Sequence, residues 1–154
     1  MVLSQKCQYA VRAVFELAKR YDSGLVPAAR VAECQCIPVR FLENILSELR
    51  QAGVVESVRG KEGGYRLGRA PREVTVGEVI RLVQGPLATV ECGGRGETVG
   101  SPGRECPLRR GCVLLPMWDR AHHAMMDVFE STTFRDLVEE EQATSERKVI
   151  DYAI

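Results

Sequence analysis

Between Val54 and Leu67 the chain reads Val54-Val55-Glu56-Ser57-Val58, then Arg59-Gly60-Lys61-Glu62-Gly63-Gly64, then Tyr65-Arg66-Leu67. Two short β-prone runs around a glycine-rich turn predict a hairpin. Its place in the chain constrains the fold more than its existence, because it follows directly on a pair of short helices. The turn carries Arg59 and Lys61 on a backbone with few side chains, so its tip can approach another surface closely.

The helices ahead of it are read from apolar spacing. Tyr9, Ala10, Ala13, Val14, Leu17 and Ala18 recur at three and four residues, and Ser4 stands ready as a cap, which predicts a helix from Ser4 to about Arg20. Tyr21-Asp22-Ser23-Gly24 interrupts it. A short helix from about Pro27 to Cys34, a tight turn at Gln35-Cys36-Ile37 and a third helix opened by Pro38 follow. The stripe of that third helix is Phe41, Leu42, Ile45, Leu46 and Leu49, ended by Gly53. Val39, Arg40, Glu43 and Asn44 are left on the opposite face. Two short helices, a three-residue turn and a hairpin describe a winged helix-turn-helix.

Charge supports a polyanion-binding surface. The chain has 21 basic and 21 acidic residues, yet residues 1–72 hold 12 Lys and Arg against 7 Asp and Glu. A basic half on a neutral chain directs attention to nucleic acid. The apolar runs are too short for a bilayer span. The first residues carry charge where a signal peptide would be apolar, so a cytoplasmic location is expected.

Beyond the wing, Thr75 and Glu78 read as a capping box, and Val76, Val79, Ile80 and Val83 as the stripe of a further helix. Residues 85–112 contain ten glycines and prolines and three of the six cysteines, with no periodicity. Loops that long in compact domains are commonly functional. From Leu114 or Pro116 to Glu130, Leu115, Trp118, His122, Met125 and Phe129 form a heptad-like seam. A chain this small has little core to cover such a seam, which predicts a dimerisation helix. A last short helix from Thr132 or Thr133 to Glu140 follows, with a loose tail after it. The expected organisation is a DNA-binding domain over 1–84, a cysteine-bearing loop over 85–112, dimerisation and closing helices over 113–141, and a flexible tail over 142–154. The expected class is mainly α with a small β-hairpin wing.

Several blocks resemble the IscR- and NsrR-type winged-helix regulators: Tyr9-Ala-Val-Arg-Ala, Ile37-Pro-Val-Arg-Phe-Leu-Glu43, Val58-Arg-Gly60, Gly63-Gly-Tyr-Arg-Leu67, Val76-Gly-Glu-Val79 and Thr133-Phe-Arg-Asp-Leu137. The resemblance runs to about residue 140. It implies a homodimer bound to a double-stranded DNA operator, acting as repressor or activator. The third helix would lie in the major groove, where Arg40 suits guanine, Asn44 adenine and Glu43 cytosine, with Val39 beside them. The same resemblance puts the wing arginine, Arg59, in the minor groove.

One branch of that family holds an iron–sulfur cluster, and Cys92, Cys106 and Cys112 occupy the corresponding loop. Thiolates on a flexible loop suit a 2Fe–2S or a 4Fe–4S centre. Here the match departs. Cys106 and Cys112 have the family spacing, but the gap from Cys92 to Cys106 is long. The position where one subgroup carries a histidine ligand is Leu115, and the acidic partner-subunit ligand of another corresponds to Gln8. Cys7, Glu33, Cys34 and His122 are the other candidates for a fourth ligand. A zinc-stapled or empty loop, with thiol oxidation or a small metabolite as the signal, is the alternative, and Cys34 and Cys36 could serve as oxidisable thiols. No Cys-x-x-Cys motif occurs, and both histidines sit on the seam, so an enzyme is not expected.

Overall fold

The computed structural model describes residues 3–60, 62–87 and 111–151. Helix α1 spans Gln5–Lys19, α2 Ala28–Gln35 and α3 Val39–Gln51, followed by strands β1 (Val55–Val58) and β2 (Gly64–Leu67). Helices α4 (Val76–Gln84), α5 (Leu115–Ser131) and α6 (Phe134–Asp151) complete the order. The result is a mostly helical fold with a single two-stranded antiparallel hairpin among the described residues.

Helix α1 is the central post. Ser4 Oγ accepts from the Cys7 N–H at 3.2 Å, satisfying one of the open amides of the first turn. Cys7, Ala10, Ala13, Val14 and Leu17 are all buried on one face, against α2, α3 and α4. Small residues at 10 and 13 allow close helix approach. Glu16 lies off that face, about 100° round the helix from Leu17, yet is only 1% exposed.

Helix α2 ends at Cys36, the one described non-glycine residue with positive φ (50°). The left-handed conformation costs an L-residue roughly 1–2 kcal/mol. It reverses the chain so that Ile37 N–H reaches the Ala32 carbonyl at 2.9 Å, and the buried Ile37 side chain anchors the turn. Pro38 is the N-cap of α3, one residue earlier than its sequence-expected place inside the helix. Leu42, Ile45, Leu46 and Leu49 are buried as expected, but Phe41 is not: it is 59% exposed. At about 100° per residue, Phe41 falls a quarter-turn off the centre of the buried stripe. The side chain that looked like core therefore stands on the outer face.

In the hairpin, Val55 pairs with Leu67 and Val58 with Gly64. Val55 and Leu67 face the core, while Val58 at the outer end is exposed. The turn needs its glycines. Gly60 has φ 123°, and a Cβ on Gly63 would collide with the Val58 carbonyl oxygen.

Helix α4 starts with half a capping box. Thr75 Oγ1 accepts from the Glu78 N–H at 3.1 Å, but the Glu78 carboxylate turns to Arg69 at 2.5 Å instead of closing back on Thr75. Helices α5 and α6 meet at a corner pinned to the winged domain. Val76 N–H donates to Thr132 O at 2.9 Å, Phe134 N–H donates to Val74 O at 3.0 Å, and Phe134 is fully buried. Thr133 and Asp136 cap α6 reciprocally, at 2.8 and 3.2 Å.

Helix α6 does not stop at Glu140. It continues through Asp151, across most of the segment expected as a loose tail. Between Glu140 and Asp151 there is neither glycine nor proline, and helix formers such as Glu, Gln, Ala, Arg and Lys dominate. The absence of a breaker outweighs the general looseness of chain ends here.

Candidate nucleic-acid interface

The outer face of α3 and the described end of β1 at the wing are both exposed. Val39 is 44% exposed, and Arg40, Glu43 and Asn44 are exposed as well. Neither Arg40 nor Glu43 is drawn into an ion pair with a described residue, and Arg50 instead reaches Ser57 Oγ on β1 at 3.3 Å. Arg59, at the end of β1, is also exposed. Lys61 lies outside the described residues.

A backbone bridge and a side-chain hydrogen bond tie wing and helix pair together. Val26, just ahead of α2, exchanges two 2.8 Å hydrogen bonds with Tyr65 of β2. Arg50 ties the end of α3 to β1. On the wing itself, Arg66 forks onto Glu56 Oε2 at 2.8 and 3.0 Å, an exposed cross-strand pair worth about 0–1 kcal/mol. It orders the hairpin without consuming Arg59.

The opposite side of the helix-turn-helix holds a polar knot absent from the sequence reading. Arg20 Nε donates to Glu16 Oε1 at 2.7 Å, Gln35 Nε2 donates to Glu16 Oε2 at 2.9 Å, and Arg12 donates to the Gln35 carbonyl. Burial pushes the Glu16 carboxyl up, but the hydrogen bonds from Arg20 and Gln35 and the charges of Lys19 and Arg20 outweigh it, leaving a net depression. A carboxylate four residues ahead of Arg20 on one helix was the available sequence signal.

The cysteine centre is only partly in view. Cys92 and Cys106 lie outside the described residues, and Cys112 is half-buried three residues before α5. Among the described residues no three His, Cys, Asp or Glu side chains gather into a metal site. The fourth-ligand candidates are scattered. Cys7 is fully buried in the core, its thiol pushed up by that burial. Gln8 donates to Leu3 O at 2.9 Å, Glu33 pairs with Arg30 at 2.8 Å, and Cys34 Sγ lies 3.8 Å from Arg20 Nη2. His122 is half-buried on α5, with Nδ1 buried and unpartnered among the described residues.

Comparison with known proteins settles the family. A model described as "Rrf2: Iron-dependent Transcriptional regulator" matches residues 3–140. The chain belongs to the Rrf2 family of transcriptional regulators. It is 34% identical to an rrf2-like regulator of Rhodobacter capsulatus over 140 residues, covering 89% of this chain and 92% of that one. It is also 34% identical to the CymR regulator of Bacillus subtilis over 137 residues, covering 89% of each. With IscR of Vibrio campbellii it shares 32% over 156 residues, covering 100% of this chain and 88% of the relative. Among solved structures, B. subtilis CymR, titled the global cysteine regulator, superposes with TM-score 0.71 at 31% identity, covering 91% of this chain and 98% of that one. IscR of T. potens gives TM-score 0.71 at 30% identity, covering 92% and 88%. These Rrf2 relatives are transcription regulators, not enzymes, and the winged-helix fold is theirs.

Proposed function

We propose that this Rrf2 chain acts as a homodimer that reads a two-fold related operator in double-stranded DNA, with Arg40, Glu43, Asn44 and Val39 in the major groove and Arg59 and Lys61 on the wing. The observation that carries the reading is the joint exposure of the α3 face and Arg59 on elements locked together by the Val26–Tyr65 bridge. Arg40 and Asn44 supply donors for guanine and adenine edges, and Glu43 an acceptor for cytosine. Arg59 suits the negative potential of a narrow minor groove, and Lys61 a phosphate. Dimerisation through α5 is supported by its exposure: none of its residues is buried, although Leu115, Trp118, Met125 and Phe129 lie along it.

The test is selection of duplexes from a random pool, under anaerobic and air-oxidised conditions, followed by gel-shift titration over a salt series. Salt-steep binding to a two-fold symmetric site, weakened tenfold or more by Arg59→Ala, is the expected result. Unchanged affinity for the Arg59→Ala chain removes the wing from the mechanism.

For the signal, the donor set favours an iron–sulfur centre held by Cys92, Cys106 and Cys112, since three thiolates in one loop suit it and IscR proteins are among the relatives. Such a group, when bound, supplies an oxidisable centre next to α5. The chain's own part is mechanical: Cys112 precedes the first turn of α5 by three residues, so a constraint on the loop bears on the orientation of that helix. Anaerobic purification with visible absorption and iron analysis tests it; colourless, iron-free protein that still binds its operator ends it. A second reading, thiol sensing without a cluster, is favoured by the Cys34–Arg20 contact and the exposure of Cys34 and Cys36, and it keeps zinc or an empty loop for the other cysteines.

A further inference from the structure

Phe41 is the largest exposed apolar side chain on the reading helix, at 59% exposure, and no part of the described core covers it. It stands in the first turn of α3, where side chains of a recognition helix come closest to base edges. Counting about 100° per residue, it lies about 60° round the helix from Asn44 and 100° from Arg40. The two hydrogen-bonding side chains that suit purines therefore both lie to one side of the apolar ring, and the buried stripe lies to its other side. A buried phenylalanine at this position would have served packing, and the core is complete without it: Leu42, Ile45, Leu46 and Leu49 are each 1% exposed or less.

Resting on the DNA-binding reading above, we infer that Phe41 is a specificity residue for thymine, its ring packing on the C5 methyl group in the major groove of each half-site. The occupant follows from chemistry. Among the four bases only thymine presents an apolar group at that edge. An uncovered aromatic ring beside polar readers gains by covering a methyl and loses by facing the polar edge of cytosine. Arg40 and Asn44 hold the neighbouring purines, so the ring and the two donors together read a run of mixed sequence instead of a single base. Val39, 44% exposed, lies on the other side of Arg40 and does not share the ring's position.

Replacing thymine by uracil removes this methyl and nothing else. With duplexes selected by the wild-type chain, each thymine is replaced in turn and affinity is measured by fluorescence anisotropy. One thymine per half-site is expected to be sensitive, with about a fourfold loss per methyl, the factor for uncovering one such group, and about sixteenfold when both half-sites are changed. The Phe41→Ala chain should bind the thymine and uracil duplexes alike, closing a cycle between the ring and the methyl. No sensitive thymine overturns the inference with the wild-type protein alone. So does a Phe41→Ala chain that keeps the full loss, or a Val39→Ala chain that abolishes it. Failure to select any duplex instead overturns the DNA-binding reading beneath it.

Discussion

Val26 and Tyr65 donate to one another's carbonyls at 2.8 Å in both directions, so the segment entering α2 and the returning strand of the wing form one small sheet corner. A hairpin attached only through its own strands would swing about Gly53 and Gly68. Fastened at Val26, it moves with the helix pair, and the spacing between the α3 face and Arg59 becomes a fixed property of the fold. That spacing is what two adjacent grooves would measure.

The first prediction concerns the residue beside that bridge. A Cβ on Gly64 would sit 2.7 Å from the Val26 carbonyl oxygen, a backbone atom with no rotamer to escape through. Gly64→Ala should therefore force the corner open, at about 1–3 kcal/mol of stability. Operator affinity should fall further than the loss of stability accounts for, because the wing is displaced in the folded protein. Urea melts and gel-shift titrations of the same preparation check both. Normal affinity in a folded variant would show the wing's placement to be dispensable.

The second prediction concerns pH. Glu16 holds its proton less tightly folded than unfolded, since Arg20 and Gln35 stabilise the ionised form against the burial that opposes it. Its contribution is complete above the ordinary carboxylate range and is lost as pH falls through the depressed folded value. Asp136, lowered by its hydrogen bonds from Thr133, adds in the same direction. Melting temperature should decline on acidification, and Glu16→Gln should flatten part of that decline. Arg20→Met should cost about 2 kcal/mol at neutral pH, less than the 3–5 of a fully buried broken pair because Arg20 is about a third exposed. An identical acid limb in Glu16→Gln would refute the assignment.

The third prediction is at the corner between α5 and α6. Phe134 is fully buried beneath the Val74 and Val76 backbone bonds. Phe134→Ala should cost about 3–5 kcal/mol, since an aromatic ring leaves a cavity that fixed backbone on two sides cannot fill. Hydrogen exchange should then show α5 and α6 opening before α1. Uniform destabilisation of all helices would mean that the corner is not a separate hinge.

The helix-turn-helix, the wing and helix α5 were legible because each rests on local chemistry: apolar spacing, glycine where a Cβ cannot fit, a polar cap. Phe41 was misread because α3 has five apolar candidates for a four-residue stripe, and only the direction of the packed neighbours decides which one is left out. Glu16 escaped notice because its partners, Arg20 and Gln35, are gathered by the fold rather than by spacing alone. The end of α6 was misjudged because a solvated helix carries no apolar period to read. In the cysteine loop the residue types are legible and their arrangement is not, since no apolar period or cap fixes where residues 85–112 run.

The last prediction bears on assembly. Helix α5 has Trp118, Met125 and Phe129 half-buried within one chain, and none fully covered. A soluble helix that spends an indole and a phenyl ring on a half-open face gains by covering them with a second copy, and the repeat at three and four residues suits an antiparallel or parallel helix pair equally. Trp118→Glu places a charge on that seam near the start of α5, away from the Thr132–Phe134 corner where the helix joins the winged domain. Sedimentation should show a dimer for the wild-type chain and a monomer for the variant, with unchanged helicity. Operator affinity should fall by at least a hundredfold, because two half-sites bound by linked domains become two independent weak events. A Trp118→Glu chain that remains dimeric would place the interface on another surface, and one that is monomeric yet binds a full operator as tightly as before would remove two-fold symmetry from the mechanism.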